Sequence, residues 1–231
     1  MSIGVVLLSA GTGSRMNSDM PKQYMEVCGK PVLYYSLKCF DEHDEVDDIV
    51  IVAAPDYHDM IRTEIVEKYG IKKVRVITEG GKERYNSVYN GLCKLGVHDY
   101  VMIHDGARPC ITKELLDRII TEVKEIKAVV PAVPSKDTVR LADEDGYVTG
   151  TPDRSSVWNM QTPQTFEMAG LVSAFDMYMS AETTVQVTDD AMIWEMHDKR
   201  RVKLVMGDYS NIKLTTPEDM QIVSNNIKNN A

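Results

Sequence analysis

The chain has 231 residues, 43% hydrophobic and 26% charged, with a formal net charge of −9; that suits one α/β domain over residues 1–231 with a full core and argues against non-specific nucleic-acid binding, which rests on clustered positive charge. No apolar run approaches the roughly 18–20 residues of a membrane helix, so no membrane partner is expected. The four cysteines, Cys28, Cys39, Cys93 and Cys110, form no CxxC pair, so no zinc site or disulfide framework is expected either, and the reading is a cytoplasmic protein with buried thiols.

Ile3–Ser9 is apolar and β-branched enough for a strand buried on both faces. With no basic segment ahead of it and a Gly-rich turn behind, it reads as a first strand and not as a signal peptide. Pro31 opens a helix that runs to about Phe40. Asp48–Ala53 is a second buried strand, Pro55–Tyr69 a helix ended by Gly70, and Lys73–Thr78 a third strand. Arg84–Leu95 is a helix stopped near Gly96, Tyr100–His104 a fourth strand, Thr112–Ile126 a helix capped by Thr112, and Ala128–Val133 a fifth strand. This rhythm implies a Rossmann-like, mostly parallel sheet with helices on both faces.

After Pro134 the rhythm changes. Thr138–Leu141 and Tyr147–Thr149 flank the acidic turn Asp143-Glu144-Asp145-Gly146, which predicts a β-hairpin arm at about 136–158 projecting from the sheet. Helices follow at about Met168–Tyr178 and Asp189–Met196, then a strand at Val202–Met206 and a last helix, Pro217–Asn226, capped by Thr216.

Ligands of open α/β sheets bind at the carboxyl ends of the strands. The first such end reads Ser9-Ala10-Gly11-Thr12-Gly13-Ser14-Arg15-Met16. Two glycines let the backbone approach a phosphate, but the spacing fits neither the dinucleotide fingerprint nor the P-loop. Arg15 follows instead, then Lys22 seven residues on. A guanidinium and an ammonium beside a Gly-rich loop supply positive charge for a triphosphate, which is what phosphoryl and nucleotidyl transfer require. Gly80, Gly81 and Ser87 lie beyond the third strand. They read either as a plain turn, with Ser87 bonded to its own helix, or as a pocket where glycine admits a base edge. Asp105 ends the fourth strand. It suits a Mg²⁺ bridging nucleotide phosphates, a substrate hydroxyl, or a turn cap before Gly106.

The stretch SAGTGSRM…PKQY resembles the signature of the 2-C-methyl-D-erythritol 4-phosphate cytidylyltransferases of the non-mevalonate isoprenoid pathway. EGGKERYNSVYNGL, HDGARP, KDTV, DRSSVWNMQTPQ, TDDA and NIKLTTPEDM follow in the family's order, so the resemblance covers about residues 5–220. Ser9 and Gly106 stand where many members have alanine, small-for-small changes. The resemblance implies transfer of CMP from CTP to a sugar-alcohol phosphate with release of pyrophosphate, aided by Mg²⁺. It implies that Arg15 and Lys22 stabilise the transition state. Ser9, Ala10, Gly11, Gly13, Gly80, Gly81 and Ser87 would bind CTP. Asp105, Arg108, Thr138, Thr162 and Thr188 would bind the acceptor, with Arg154 and Lys213 holding its phosphate near the α-phosphorus. It also implies a homodimer in which the arm, with Thr138 and Arg154 at its roots, completes the partner's site. From the residues alone, Thr188 is also a helix cap and Lys213 an ordinary solvated lysine. His104 reads as structural.

A related ribitol-5-phosphate cytidylyltransferase is the nearest alternative, and activity with each acceptor separates the two. A non-catalytic nucleotide-binding module is disfavoured because Arg15, Lys22 and Lys213 are all present. A dinucleotide-dependent dehydrogenase is disfavoured because the first loop lacks the third glycine.

Overall fold

A computed structural model describes residues 1–11, 20–181, 185–197 and 199–229. β1 (Ile3–Ser9) is followed by a 3₁₀ turn at Lys22–Tyr24, a small ribbon of β2 (Glu26–Val27) and β3 (Lys30–Pro31), and α1 (Val32–Asp41). β4 (Asp48–Ala53) leads into α2 (His58–Met60), and then come β5 (Val74–Glu79), α3 (Arg84–Leu95), β6 (Tyr100–Asp105), α4 (Lys113–Ile126) and β7 (Ala128–Pro134). The arm carries β8 (Leu141–Ala142) and β9 (Val148–Gly150). β10 (Trp158–Met160), β11 (Gln164–Glu167), α5 (Met168–Ser180), α6 (Asp190–Met196), β12 (Lys203–Met206) and α7 (Asp219–Asn229) complete the chain.

Eight strands form the main sheet. β5, β4, β1 and β6 lie side by side and parallel. β11 is inserted antiparallel between β6 and β7, and β10 continues antiparallel along β7. β12 pairs parallel with β7. The expected parallel α/β sheet is therefore present, with one antiparallel course of β10 and β11 that the sequence pattern does not announce.

The strand period of two sorts the core into layers. Ile3, Val5 and Leu7 of β1, with Ile49 and Ile51 of β4, pack under α1 and α4 through Leu33, Leu37, Leu115 and Ile119. Val6, Val50 and Val52 face the other way, onto Val88, Leu92 and Leu95 of α3. Helix α3 approaches closely because Gly91 faces the sheet: a Cβ there would sit 2.4 Å from Val6 Cγ1 and 2.9 Å from Val52 Cγ2.

Several expectations need correction. The segment expected as one helix over 55–69 begins as a 3₁₀ turn at Pro55–Tyr57, passes through α2 and widens into a π-helix at Ile61–Glu67. Two bonds near its end span five residues, Lys68 N–H to Thr63 O at 3.2 Å and Ile71 N–H to Val66 O at 2.9 Å, while Tyr69 N–H returns to Ile65 O at 3.2 Å. The last helix starts at Asp219, not Pro217, because the Asp219 carboxylate accepts from the N–H groups of Thr215 at 2.7 Å and Thr216 at 2.8 Å. The cap of α6 is Asp189, which accepts from Met192 N–H at 3.1 Å, while the Thr188 hydroxyl turns to Met192 Sδ at 3.2 Å. The four cysteines are free, and Cys28 and Cys93 are exposed, not buried as expected.

Candidate active site

From β1 the chain steps outward to β4 and β5, then crosses to β6 on the opposite side of β1. Loops at the carboxyl ends of β1 and β6 diverge at such a reversal and leave a crevice. A cleft of about 470 Å³ opens there, lined by Ser9, Ala10, Gly11, Lys22, Gly81, Arg84, Ser87, Asp105 and Lys213 among others.

The end of β1 is pinned from below. Gln23 Nε2 donates to the carbonyls of Ser9 at 2.7 Å and Gly11 at 2.9 Å. The Ser9 hydroxyl donates to Tyr24 Oη at 2.9 Å, and Tyr24 in turn donates to the Ser9 carbonyl at 2.9 Å. Burial pushes the Tyr24 phenol up to about 12, so it stays a neutral donor. Two residues of the PKQY stretch thus fix the loop from beneath while Lys22 lines the cleft. Gly13 and Arg15 lie outside the described residues.

The glycines after β5 have a packing reason different from the expected one. A Cβ on Gly80 would lie 2.4 Å from Ala10 Cβ and 3.1 Å from Ser87 Oγ, and one on Gly81 would lie 2.2 Å from Asn86 Cβ. The space they leave is filled by the β1 loop and the first turn of α3. Ser87 Oγ accepts from Gly81 N–H at 3.0 Å and donates to the Glu83 carbonyl at 3.3 Å. Glu83 caps α3 in a reciprocal capping box with Asn86, which sets Arg84 as the first helical residue.

Arg84 joins two carboxylates. Its Nη1 and Nη2 donate to the two oxygens of Asp190 at 2.9 and 2.8 Å, and its Nε donates to Asp105 Oδ1 at 3.3 Å. Asp105 Oδ2 accepts from Lys213 Nζ at 2.7 Å. Burial alone would raise the Asp105 pKa, but Arg84, Lys213 and Arg108 outweigh it and hold the carboxylate well below its usual range. Burial would also lower Arg84, but Asp190 and Asp105 outweigh it and keep the guanidinium charged. Asp190 is fully buried, and that burial raises its pKa against the opposing pull of Arg84.

Beneath Asp105 lies a chain of hydrogen bonds. The Asp105 N–H donates to Thr162 Oγ1 at 3.1 Å, and the Thr162 hydroxyl meets His104 Nδ1 at 2.9 Å. His104 Nε2 lies 3.1 Å from the Arg108 carbonyl. A carbonyl only accepts, so Nε2 carries the proton and Nδ1 accepts from Thr162. Burial pushes His104 down to about 4, which keeps it neutral. Thr162 is therefore committed inside the floor of the site, where its hydroxyl is buried. Arg108 Nη1 donates to the Asn211 carbonyl at 2.8 Å and Nη2 to the Met160 carbonyl at 3.3 Å, tying the β6 loop to the segment that carries Lys213.

The fold brings Ser9, Ala10, Gly11, Lys22, Gly81, Ser87, Asp105 and Lys213 to one cleft. Gly80 packs against its wall, and Thr162 and Arg108 lie below its floor. Thr138, Arg154 and Thr188 are exposed away from the cleft lining. Arg154 closes the arm root by donating to the Lys136 carbonyl at 2.5 Å. Gln23, Tyr24, Arg84 and Asp190 also shape the site, with no role that residue type or spacing announces. All four lie inside the quoted motifs, and the motif positions are the one signal that marks them.

The family model described as 2-C-methyl-D-erythritol 4-phosphate cytidylyltransferase matches residues 3–228. The chain is 45% identical over 217 residues to the enzyme of that name from Lachnospira eligens, covering 94% of this chain and 95% of the relative. It is 47% identical over 218 residues to the one from Lachnoclostridium phytofermentans, covering 94% and 93%. The crystal structure of 4-diphosphocytidyl-2C-methyl-D-erythritol synthase from Anaerococcus prevotii superposes with a TM-score of 0.86 at 37% identity, covering 98% of this chain and 96% of that one.

Proposed function

The chain belongs to the 2-C-methyl-D-erythritol 4-phosphate cytidylyltransferase family, and we propose that it joins CMP from CTP to 2-C-methyl-D-erythritol 4-phosphate with release of pyrophosphate, a step of non-mevalonate isoprenoid precursor synthesis. The observation that carries the reading is the Lys213–Asp105–Arg84 cluster facing a nucleotide-sized cleft at the reversal of the sheet.

An oxygen of the acceptor phosphate attacks the α-phosphorus of CTP. The bond from that phosphorus to the bridging oxygen breaks, and its electron pair leaves with pyrophosphate. The attacking phosphate is already anionic, so no proton has to move, and the work is orientation and charge neutralisation. The backbone of Ser9–Gly11 and the Gly80–Gly81 turn cradle the nucleotide, with Ser87 beside the base. Arg15 and Lys22 neutralise the triphosphate, and Lys22 lines the cleft. Lys213 approaches from the β6 side, held by Asp105, and steadies the acceptor phosphate.

A divalent ion fits this donor set as cargo of the nucleotide. No three His, Cys, Asp or Glu side chains converge among the described residues, so they form no ion cage. Asp105, which lines the cleft, would reach an ion held by phosphates, which is how Mg²⁺ is commonly bound. Such an ion supplies charge neutralisation on the triphosphate.

The arm supports a homodimer. Its Leu141, Tyr147 and Val148 are 55, 74 and 63% exposed, and a two-stranded ribbon is marginal unless packed against something. A second copy would cover it and receive Thr138 and Arg154 beside its own cleft, with Arg108 and Thr188 on the acceptor side. Sedimentation of the intact chain should give a dimer, and deletion of residues 141–150 should give an inactive monomer.

Pyrophosphate release from CTP and Mg²⁺ tests the whole reading. Release with methylerythritol phosphate and not with ribitol 5-phosphate is expected. The reverse preference would keep the chemistry and overturn the acceptor.

A further inference from the structure

Arg84 has no part in the reaction scheme above, yet three of its guanidinium N–H groups are committed to two carboxylates in the cleft wall. Its two terminal nitrogens hold Asp190, and its Nε holds the oxygen of Asp105 opposite to the one that holds Lys213. Asp190 is fully buried behind it and does not line the cleft. Asp190 is itself immobilised: Gln164 Oε1 accepts from the backbone N–H groups of Asp190 and Ala191, both at 3.0 Å, and Gln164 Nε2 donates to Asp189 Oδ2 at 2.9 Å. A continuous chain of fixed contacts therefore runs from β11 through the first turn of α6 to the first residue of α3, the end of β6 and the Lys213 ammonium.

We propose that Arg84 is a positioning residue for the transfer, tethered by Asp190 so that it aims Asp105 at Lys213 and is itself withheld from the triphosphate. A guanidinium suits this role because its planar fork grips one carboxylate with two parallel bonds and leaves Nε for another. A lysine at position 84 would keep the charge and lose the fork. With Asp190 uncharged, Arg84 is released towards the cleft, where a triphosphate is the next strong acceptor, and Asp105 with Lys213 loses its fixed orientation.

The inference rests on the proposed cytidylyl transfer, and two readouts separate its failure from the failure of that reading. The first is steady-state pyrophosphate release by Asp190→Asn and Arg84→Lys. Misplacing a reacting group by about 1 Å lowers rates on the order of 100-fold, so kcat should fall about 30–100-fold. The KM for CTP should stay within about threefold in Arg84→Lys and stay level or fall in Asp190→Asn. The second readout needs no turnover: acetylation of Lys213 by acetic anhydride, followed by mass spectrometry, should speed up several-fold in both variants once its grip on Asp105 loosens. If Asp190→Asn does not fold, Arg84→Lys carries both measurements. A kcat within threefold of the parent, a loss confined to KM, or unchanged Lys213 acetylation would each overturn the proposal. An inactive parent whose Lys213 acetylation still responds would overturn the assigned reaction and leave the positioning chain standing.

Discussion

Gly80→Ala puts the packing of the loop after β1 to a sharp test. The added Cβ would stand 2.4 Å from Ala10 Cβ and 3.1 Å from Ser87 Oγ. Carbon atoms in contact sit at about 3.5–4.0 Å, so Ala10 must retreat by at least about 1 Å. Ala10 has no rotamer to change, so the backbone of the loop must carry the whole displacement. That loop is held by Gln23 on the carbonyls of Ser9 and Gly11, and it cannot shift without straining those bonds. Overpacking of this kind destabilises by about 1–3 kcal/mol, which a domain of this size survives. A misplacement of that size at a positioned phosphate lowers the rate by about 100-fold. Pyrophosphate release should therefore show kcat/KM for CTP down by about two orders of magnitude, with a urea midpoint only modestly lowered. Gly80→Ala combined with Ala10→Gly removes the 2.4 Å contact and should recover most of the loss. A single variant within threefold of the parent, or a double variant no better than the single, would refute the claim that Gly80 exists to make room for the β1 loop.

Lys213→Met should lower kcat by about 100–1000-fold, the size of effect seen when one donor to a developing charge is lost, with the circular dichroism spectrum unchanged. Burial pushes the thiols of Cys39 and Cys110 up to about 12, so brief iodoacetamide treatment at pH 8 should label the exposed Cys28 and Cys93 and spare those two, as peptide mapping will show. His104 is held neutral with its pKa lowered to about 4 by burial, whereas the unfolded chain binds the proton near 6.5. The unfolded state therefore binds more protons between those values, and the contribution of His104, about 3 kcal/mol, is present above pH 6.5 and lost as pH falls towards 4. Urea midpoints of the parent and His104→Gln should converge over that window; a constant gap would show that His104 titrates normally.

The parallel half of the sheet is legible because strands buried on both faces need continuous apolar runs. Ile3–Ser9 and Asp48–Ala53 have such runs, and the structure returns both with the expected bounds. β11 is not legible for the same reason in reverse. It reads Gln164-Thr165-Phe166-Glu167, one apolar residue in four, yet its first three residues are buried. Gln164 is affordable in the core because the first turn of α6 offers it two N–H groups and a carboxylate. Those partners lie 25 to 27 residues away, and no local pattern announces them. The β1 side of the cleft is similarly readable, since Gly11 and Lys22, which follow β1 in the chain, both line it. The place of Thr162 is not, because its hydroxyl is plain in the sequence and hidden under Asp105 in the fold.

The members of the Arg84–Asp190 pair stand 106 positions apart in the chain, which no local pattern bridges, and the chemistry of the pair bears on why it is there. Two charges taken out of water recover little net stability from their attraction, and apolar residues of similar volume commonly serve a core as well or better. A buried pair maintained for stability alone is therefore a poor bargain, whereas a pair maintained to fix direction has no apolar substitute. The two roles predict different behaviour of Arg84→Met combined with Asp190→Leu. Under a stability role the double variant unfolds more readily and its activity falls only with the folded fraction. Under a directional role its urea stability matches the parent or exceeds it by about 1–4 kcal/mol, while turnover falls as far as in Arg84→Lys, because Asp105 keeps its charge but no longer has a fixed heading towards Lys213. A double variant that is both stable and fully active would show that neither charge is needed to hold Asp105 in place.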